Sequence, residues 1–242
     1  MTNHTHQTSP NVYARIGGLA YLIIIVAGIL GEMFIRNTIV VSGDAVATAR
    51  NIVAHPLQWR IGIAGDLIMH VCDLVVIVVL YLLLKPVNKN LALLAMLFVV
   101  IQTAVLVANK LNLFMPLFLL GSADYLAAFD PSQLQSLSYI FIKAHGYGFG
   151  LGLIFFGFGC IVYGYLIFKS GYLPRVLGIL MQVAGYCYLL NSFSLILVPE
   201  FATVLFPAVL LPPLIAEVSL CLWLIIKGVN IPKWNERELI TS

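Results

Sequence analysis

The stretch that decides the fold is IGIAGDLIMHVCDLVVIVVLYLLL, residues 61–84, which is apolar along almost its whole length. A bilayer core of about 30 Å is crossed by about 20 apolar residues in an α-helix. The stretch therefore predicts a transmembrane helix, which the flanking residues extend to 58–84. It nevertheless carries Asp66, His70 and Asp73, three side chains that are costly to place in lipid.

The rest of the chain repeats this apolar pattern. Of its 242 residues, 61% are hydrophobic and 10% are charged, whereas a soluble domain has about 25% charged residues. The pattern predicts an all-α polytopic bundle of one domain, residues 14–228, between a disordered tail, 1–13, and a second tail, 229–242. Its six predicted spans are 15–36, 58–84, 91–119, 138–168, 174–198 and 206–227.

The basic residues predict the orientation of the bundle. Eight of the 13 lysines and arginines fall on the side of the termini and five on the other side. By the positive-inside rule, both termini lie in the cytoplasm. An even number of spans agrees with this, because it places both termini on the same side. The basic residues form no stripe for nucleic acid, so membrane lipid is the expected partner. The sequence does not determine the oligomeric state.

The first external loop contains SGDAVATARNIVAHP, residues 42–56. Ser42 or Asp44 is a suitable N-cap and Pro56 a suitable stop, which predicts a short helix. Its small and branched apolar residues share one face, so the helix is expected to be amphipathic. We expect it to lie on the membrane surface or to cover the bundle.

The three polar residues of the second span fall on one face of its helix. At 100° per residue, Asp66, His70 and Asp73 lie within an arc of about 60°. Lipid cannot solvate them, so they are expected to face the bundle interior. The arrangement is typical either of a hydrogen-bond network between helices or of a site for a ligand, a proton or a metal.

A second polar feature begins the fourth span. His145 is followed by glycines on its own helix face, of which Gly148 and Gly152 are nearest. Such glycines allow a neighbouring backbone to approach closely. They indicate either tight helix packing or a groove for a lipid tail.

Glu217 lies in the middle of the sixth predicted span, after Pro212 and Pro213. Two prolines inside a helix would leave carbonyl groups without donors, which membrane helices tolerate only beside protein or cavity water. Counting from the basic anchors places Asp73 and Glu217 near the midplane. With the polar residues nearer the outside, they predict a funnel that opens outward, with further lining residues Gln102, Asn109, Lys110, Gly148, Gly152 and Asn191.

The chain resembles the bacterial integral membrane proteins catalogued as domain of unknown function 4386, over about residues 12–230. The resemblance rests on ARIGGLAYLIIIVAGI (14–29), SGDAVATARNI (42–52), LYLLLKPVNKNLALLA (80–95), HGYGFGLGLIFFG (145–157), YLIFKSGYLPRVLGIL (165–180) and LIAEVSLCLWLIIKG (214–228). It implies a helical bundle in the bacterial cytoplasmic (inner) membrane, and it supplies no reaction and no catalytic residue.

Three functions remain open on the sequence. The first is a metal-dependent enzyme, with zinc held by His70, His145 and Asp66, and with Asp73 or Glu217 as general base. Its substrate would be a lipid or another amphiphilic small molecule. The second is a small proton-coupled transporter, because intramembrane Asp, His and Glu can relay protons. The third is a sensor or accessory protein that binds a lipophilic ligand.

Overall fold

The computed structural model describes residues 9–241, and the regular secondary structure in that range is all helical. Its α-helices are α1 (Pro10–Gly31), α2 (Asn37–Ile39), α3 (Ala45–Ala54), α4 (Pro56–Leu84), α5 (Lys89–Asn109), α6 (Leu111–Leu119), α7 (Pro131–Ser170), α8 (Arg175–Leu197), α9 (Pro199–Leu205), α10 (Leu211–Ile226) and α11 (Ile231–Thr241).

Six helical segments are long and apolar enough to cross a membrane, which confirms the predicted fold class. They are Pro10–Ile39, Pro56–Leu84, Lys89–Leu119, Pro131–Ser170, Arg175–Leu197 and Ala208–Ile226.

Two of these segments are interrupted. A π-helical turn over Glu32–Arg36 joins α1 to α2, and Lys110 separates α5 from α6. The fourth segment begins at Pro131, seven residues before the predicted start at 138. The reason is a capping box. The Asp130 side chain accepts a hydrogen bond from the backbone N–H of Gln133, and the Gln133 side chain accepts one from the backbone N–H of Asp130.

The six long helices form a closed ring. Each packs against its neighbours in the chain, and α1 also packs against α10, which closes the ring. The backbone N–H of Val229 donates a 2.8 Å hydrogen bond to Oδ1 of Asn11, so both chain ends lie at one end of the bundle. We name this the terminal end and the opposite one the α3 end.

Helices α7 and α8 cross at very short range. A Cβ atom added to Gly164 would lie 2.6 Å from the carbonyl oxygen of Gly178, and one added to Gly185 would lie 2.6 Å from that of Gly157. Any side chain at these positions would force the two helices apart. The glycines therefore set the distance between the helices.

The terminal end is sealed by aromatic residues. The Tyr172 hydroxyl donates a 2.5 Å hydrogen bond to the carbonyl oxygen of Leu83, and Trp234 Nε1 lies 3.3 Å from the same oxygen. Burial raises the pKa of the Tyr172 phenol above its usual value, so this donor keeps its proton. Trp234 belongs to α11, which forms within the predicted tail 229–242. Most of the predicted tail 1–13 lies outside the described residues.

Helix α3 covers the opposite end. Asp44 is its N-cap and accepts a 2.8 Å bond from the backbone of Ala47, as the sequence predicts. The buried face carries Thr48, Ala49 and Ile52 and packs against α6 and α7. Helix α3 is therefore a cover on the bundle.

Candidate functional site

Four charged side chains from three helical segments meet near the α3 end. Nη1 of Arg36 and Nζ of Lys110 each lie 2.8 Å from Oδ2 of Asp66, and Nε of Arg36 lies 2.6 Å from Oε2 of Glu32. We call Glu32, Arg36, Asp66 and Lys110 the ion-pair cluster. Its two acids and two bases balance, which reduces the cost of burying them.

Both interruptions in the spanning helices supply a member of this cluster. Glu32 and Arg36 are the two ends of the π-helical turn, and Lys110 is the residue between α5 and α6. Gly31 packs against the cluster, because a Cβ atom there would lie 3.3 Å from both Arg36 and Asp66. The interrupted helices therefore converge on the carboxylate of Asp66.

Lys110 keeps its ammonium inside the bundle. Lys110 is 4% exposed and Asp66 is 1% exposed, because each neutralises the other inside the bundle. The cavity beside Arg36 has a volume of about 10 Å³, about the minimum that holds one water molecule. In the ion-pair cluster the polar residues are packed together and do not line an open funnel.

A second polar layer joins α7 to the cluster. Nζ of Lys110 lies 3.4 Å from Nε2 of His145. The Asn109 amide donates a 2.8 Å bond to the carbonyl oxygen of His145, and Asn112 donates a 2.9 Å bond to Asn109. The Asn109 amide therefore holds α5 to α7. Gln102 is also buried on α5.

The glycine face of α7 is filled by α5. A Cβ atom on Gly148 would lie 2.2 Å from Asn109 Oδ1, and one on Gly152 would lie 2.7 Å from Leu106. These contacts correspond to tight helix packing. The alternative, a groove for a lipid tail, is not present at these two glycines.

His70 and Asp73 form a pair on α4. Nδ1 of His70 lies 2.8 Å from Oδ2 of Asp73. The histidine side chain is 2% exposed and that of Asp73 is 15% exposed. Nε2 of His70 is buried and has no hydrogen-bond partner among the described residues. One nitrogen of a buried imidazole is thus left open for a proton or a ligand atom.

Glu217 lies among aromatic residues in the middle of the ring. The Tyr188 hydroxyl donates a hydrogen bond to Oε1 of Glu217, and the phenol of Tyr21 is directed at the same carboxylate. The ring of Phe156 lies 5.2 Å from that of Tyr188 at a tilt of 54°. We call Tyr21, Phe156, Tyr188 and Glu217 the Glu217 site. Asn191 is half-buried one turn along α8.

The prolines near Glu217 start a helix and do not break one. Pro212 and Pro213 occupy the first turn of α10, where no backbone donor is needed. Glu217 is six residues from the first residue of α10, Leu211. The expected mid-helix break is therefore absent, and the carboxylate lies about 9 Å below the helix start.

The two polar regions are joined by His70 and Asp73. His70 is close enough to His145 for their charges to interact, and Asp73 is close enough to Glu217. Asp66, His70 and Asp73 share one face of α4, so His70 and Asp73 lie between the ion-pair cluster and the Glu217 site.

The proposed zinc ligands are neighbours but do not form a metal site. Within residues 9–241, no group of three His, Cys, Asp or Glu side chains is close enough to hold a metal ion. Asp66 is bound by two cations, and His145 faces the Lys110 ammonium. These charges occupy the positions that a metal would need.

The sequence does not predict several residues of the site or their partners. Arg36 pairs with Glu32, four residues before it, as the spacing of the two residues indicates. Its second partner, Asp66, is 30 residues away. Tyr21 and Tyr188 look like ordinary aromatic residues of apolar spans, and only their position opposite Glu217 makes them part of a site.

Comparison with known proteins places this fold in a family without an assigned activity. The family model described as "Domain of unknown function (DUF4386)" matches residues 16–228. No curated protein and no solved structure matches the chain. The match covers most of the chain, including the ion-pair cluster and the Glu217 site. The chain therefore belongs to the DUF4386 family of domains of unknown function.

Proposed function

We propose that the protein is a small proton-coupled membrane transporter. In this proposal, the ionisable groups on α4 carry protons from the α3 end to Glu217. The observation that carries the proposal is the set of titratable groups, Asp66, His70, Asp73 and Glu217, that lies in the apolar part of the bundle. Intramembrane acids and histidines are expensive, and a connected series of them is typical of proton relays.

The contact between His70 and Asp73 supports proton transfer. The imidazole of His70 is bonded to Asp73 through Nδ1, and its Nε2 has no hydrogen-bond partner in the part of the chain that the structure describes. A histidine with one bonded and one free nitrogen can take a proton on one side and release it on the other. Asp73 lies next in the series and Glu217 after it.

The series ends at the middle of the ring. Towards the terminal end, Leu83, Leu84, Leu220 and Leu224 are all fully buried, and Tyr172 and Trp234 close the end. If the terminal end faces the cytoplasm, as the basic residues predict, this conformation admits protons only from outside. A transport cycle then requires a second conformation that opens the cytoplasmic side.

Proton movement can be measured in liposomes that contain a pH-sensitive dye. We expect the wild-type protein to acidify the interior faster than empty liposomes under an inward proton gradient. The rate is measured alone and with external small organic cations, anions or neutral solutes. Asp73→Asn and Glu217→Gln are expected to return the rate to that of empty liposomes, because neither amide can take up a proton.

The control is Glu200→Gln, which removes a carboxylate from the exposed first turn of α9. It is expected to leave the rate unchanged. Wild-type rates equal to those of empty liposomes with every solute would refute the proposal. Undiminished flux in Asp73→Asn would refute the assigned path.

A further inference from the structure

We propose that the Glu217 site binds a monovalent hydrophobic organic cation, such as a substituted ammonium ion. This inference rests on the proposed transport function and names the class of substrate. It depends on the charge balance of the spanning helices, on the aromatic residues around Glu217 and on the short sixth span.

Glu217 differs from the other carboxylates of the six spanning segments. These segments contain Glu32, Asp66, Asp73 and Glu217. The first three each pair with Arg, Lys or His. In the described part of the chain, Glu217 has no ion pair with a basic residue, and its hydrogen-bond partner is a phenol. An intramembrane carboxylate usually has a cationic partner, and here a ligand can supply it.

The aromatic residues specify the kind of cation. The rings of Phe156 and Tyr188 are tilted against each other, and Tyr21 approaches from α1. Aromatic faces attract organic ammonium groups, most strongly where water is excluded. Hard metal cations such as Ca²⁺ instead take six or more oxygen ligands. One carboxylate and two phenols supply too few for such an ion.

The length of the sixth span gives the cation a way in. The segment Ala208–Ile226 has 19 residues, whereas Pro10–Ile39 beside it has 30. At the α3 end, α10 therefore stops well short of α1. Helix α9, which precedes it, packs against α8. In this proposal the cation enters above the start of α10, between α1 and α8, and Glu217 lies about 9 Å below that start.

Protons and the cation compete for Glu217, which couples the two movements. Four titratable groups face this carboxylate from the elements around it: Tyr21 of α1, Asp73 of α4, Cys160 of α7 and Tyr188 of α8. Asp73 is the only one of these that is a carboxylate, and its partner is His70. A proton that arrives through Asp73 neutralises Glu217 and releases the cation. Acidification should therefore weaken cation binding.

The test is binding of radiolabelled tetraphenylphosphonium to the purified full-length protein in detergent, by equilibrium dialysis. We expect saturable binding that weakens as the pH is lowered. Glu217→Gln should weaken binding about tenfold or more, because the cation loses its counter-charge. Tyr188→Phe, which keeps the ring, should weaken it less than Tyr188→Leu, which removes the ring. Glu200→Gln is the matched control and should bind like the wild type.

The outcomes separate this inference from the transport proposal. Size-exclusion chromatography establishes that each variant is folded, and Glu217→Met, which also removes the charge, replaces Glu217→Gln if the latter is not. Saturable binding lost in Glu217 variants, without proton flux in liposomes, would support the site and refute transport. Proton flux that depends on Asp73, without saturable binding, would support transport and overturn the cation site. Binding equal in the wild type and in folded Glu217 variants would also overturn it.

Discussion

The contribution of each carboxylate to stability depends on its partners and on its exposure to water. Asp66 has two cations on one oxygen and is buried, while its neighbour in the network, Glu32, has a side chain that is 55% exposed. Removing the charge of a buried residue leaves its partners uncompensated, whereas water can replace the partner of an exposed one. Residues of the same chemical class should therefore respond very differently to substitution.

Asp66→Asn tests this difference. The substitution leaves Lys110 buried without a counter-charge, so we expect the free energy of unfolding to fall by about 3–5 kcal/mol. Glu32→Gln should cost less than about 1 kcal/mol. The double variant Asp66→Asn/Lys110→Met should recover part of the loss, because both buried charges are gone. The measurement is thermal unfolding in detergent, and equal losses for Asp66→Asn and Glu32→Gln would contradict the assignment.

At the scale of helices, glycine acts as a spacer in some places and has no packing role in others. Gly178 of α8 faces α7, where a Cβ atom would lie 2.6 Å from both Gly164 O and Phe168 N. Gly146, near the start of the spanning part of α7, has nothing within 4 Å of such an atom. Backbone atoms cannot move aside as a flexible side chain can, so only the first position requires glycine.

Gly178→Ala is therefore expected to separate α7 from α8 and to lower the free energy of unfolding by about 1–3 kcal/mol. Gly146→Ala is the matched control in the partner helix. It should be neutral or stabilising by up to about 1 kcal/mol, because alanine favours the helix. Both values follow from unfolding in detergent. Equal stability of the two variants would show that the crossing tolerates a side chain.

At the scale of the whole molecule, the ring gives the bundle two chemically distinct ends. The terminal end is sealed by Tyr172 and Trp234. The opposite end carries the ion-pair cluster, the cover helix α3 and the short start of α10. The two ends are therefore closed by different groups, and the orientation of the bundle decides which compartment each end faces.

Cysteine labelling in intact cells tests that orientation. Ser42→Cys lies at the α3 end and Asn90→Cys at the terminal end, and both positions are exposed. We expect an impermeant maleimide to label Ser42→Cys in intact cells and Asn90→Cys only after disruption. The background variant lacks the four native cysteines, Cys72, Cys160, Cys187 and Cys221. The reverse labelling pattern would place the termini outside.

Much of the local structure follows from the sequence. Long apolar runs predict the six helices because a lipid-exposed backbone must satisfy its own hydrogen bonds. Asp44 caps α3 as predicted, and Glu32 pairs with Arg36 as its spacing indicates. These features depend on residues at most four apart, so the linear pattern contains the information they need.

The composition of the site was decided by the tertiary structure. The sequence marks Asp66, His70, Asp73 and Glu217 as unusual, since charge in an apolar run is visible without contacts. It does not reveal that Arg36 and Lys110 neutralise Asp66, which removes it from the zinc set, or that phenols surround Glu217. Those facts depend on how the helices meet, because a buried charge takes its chemistry from whichever side chain packing brings within hydrogen-bond distance.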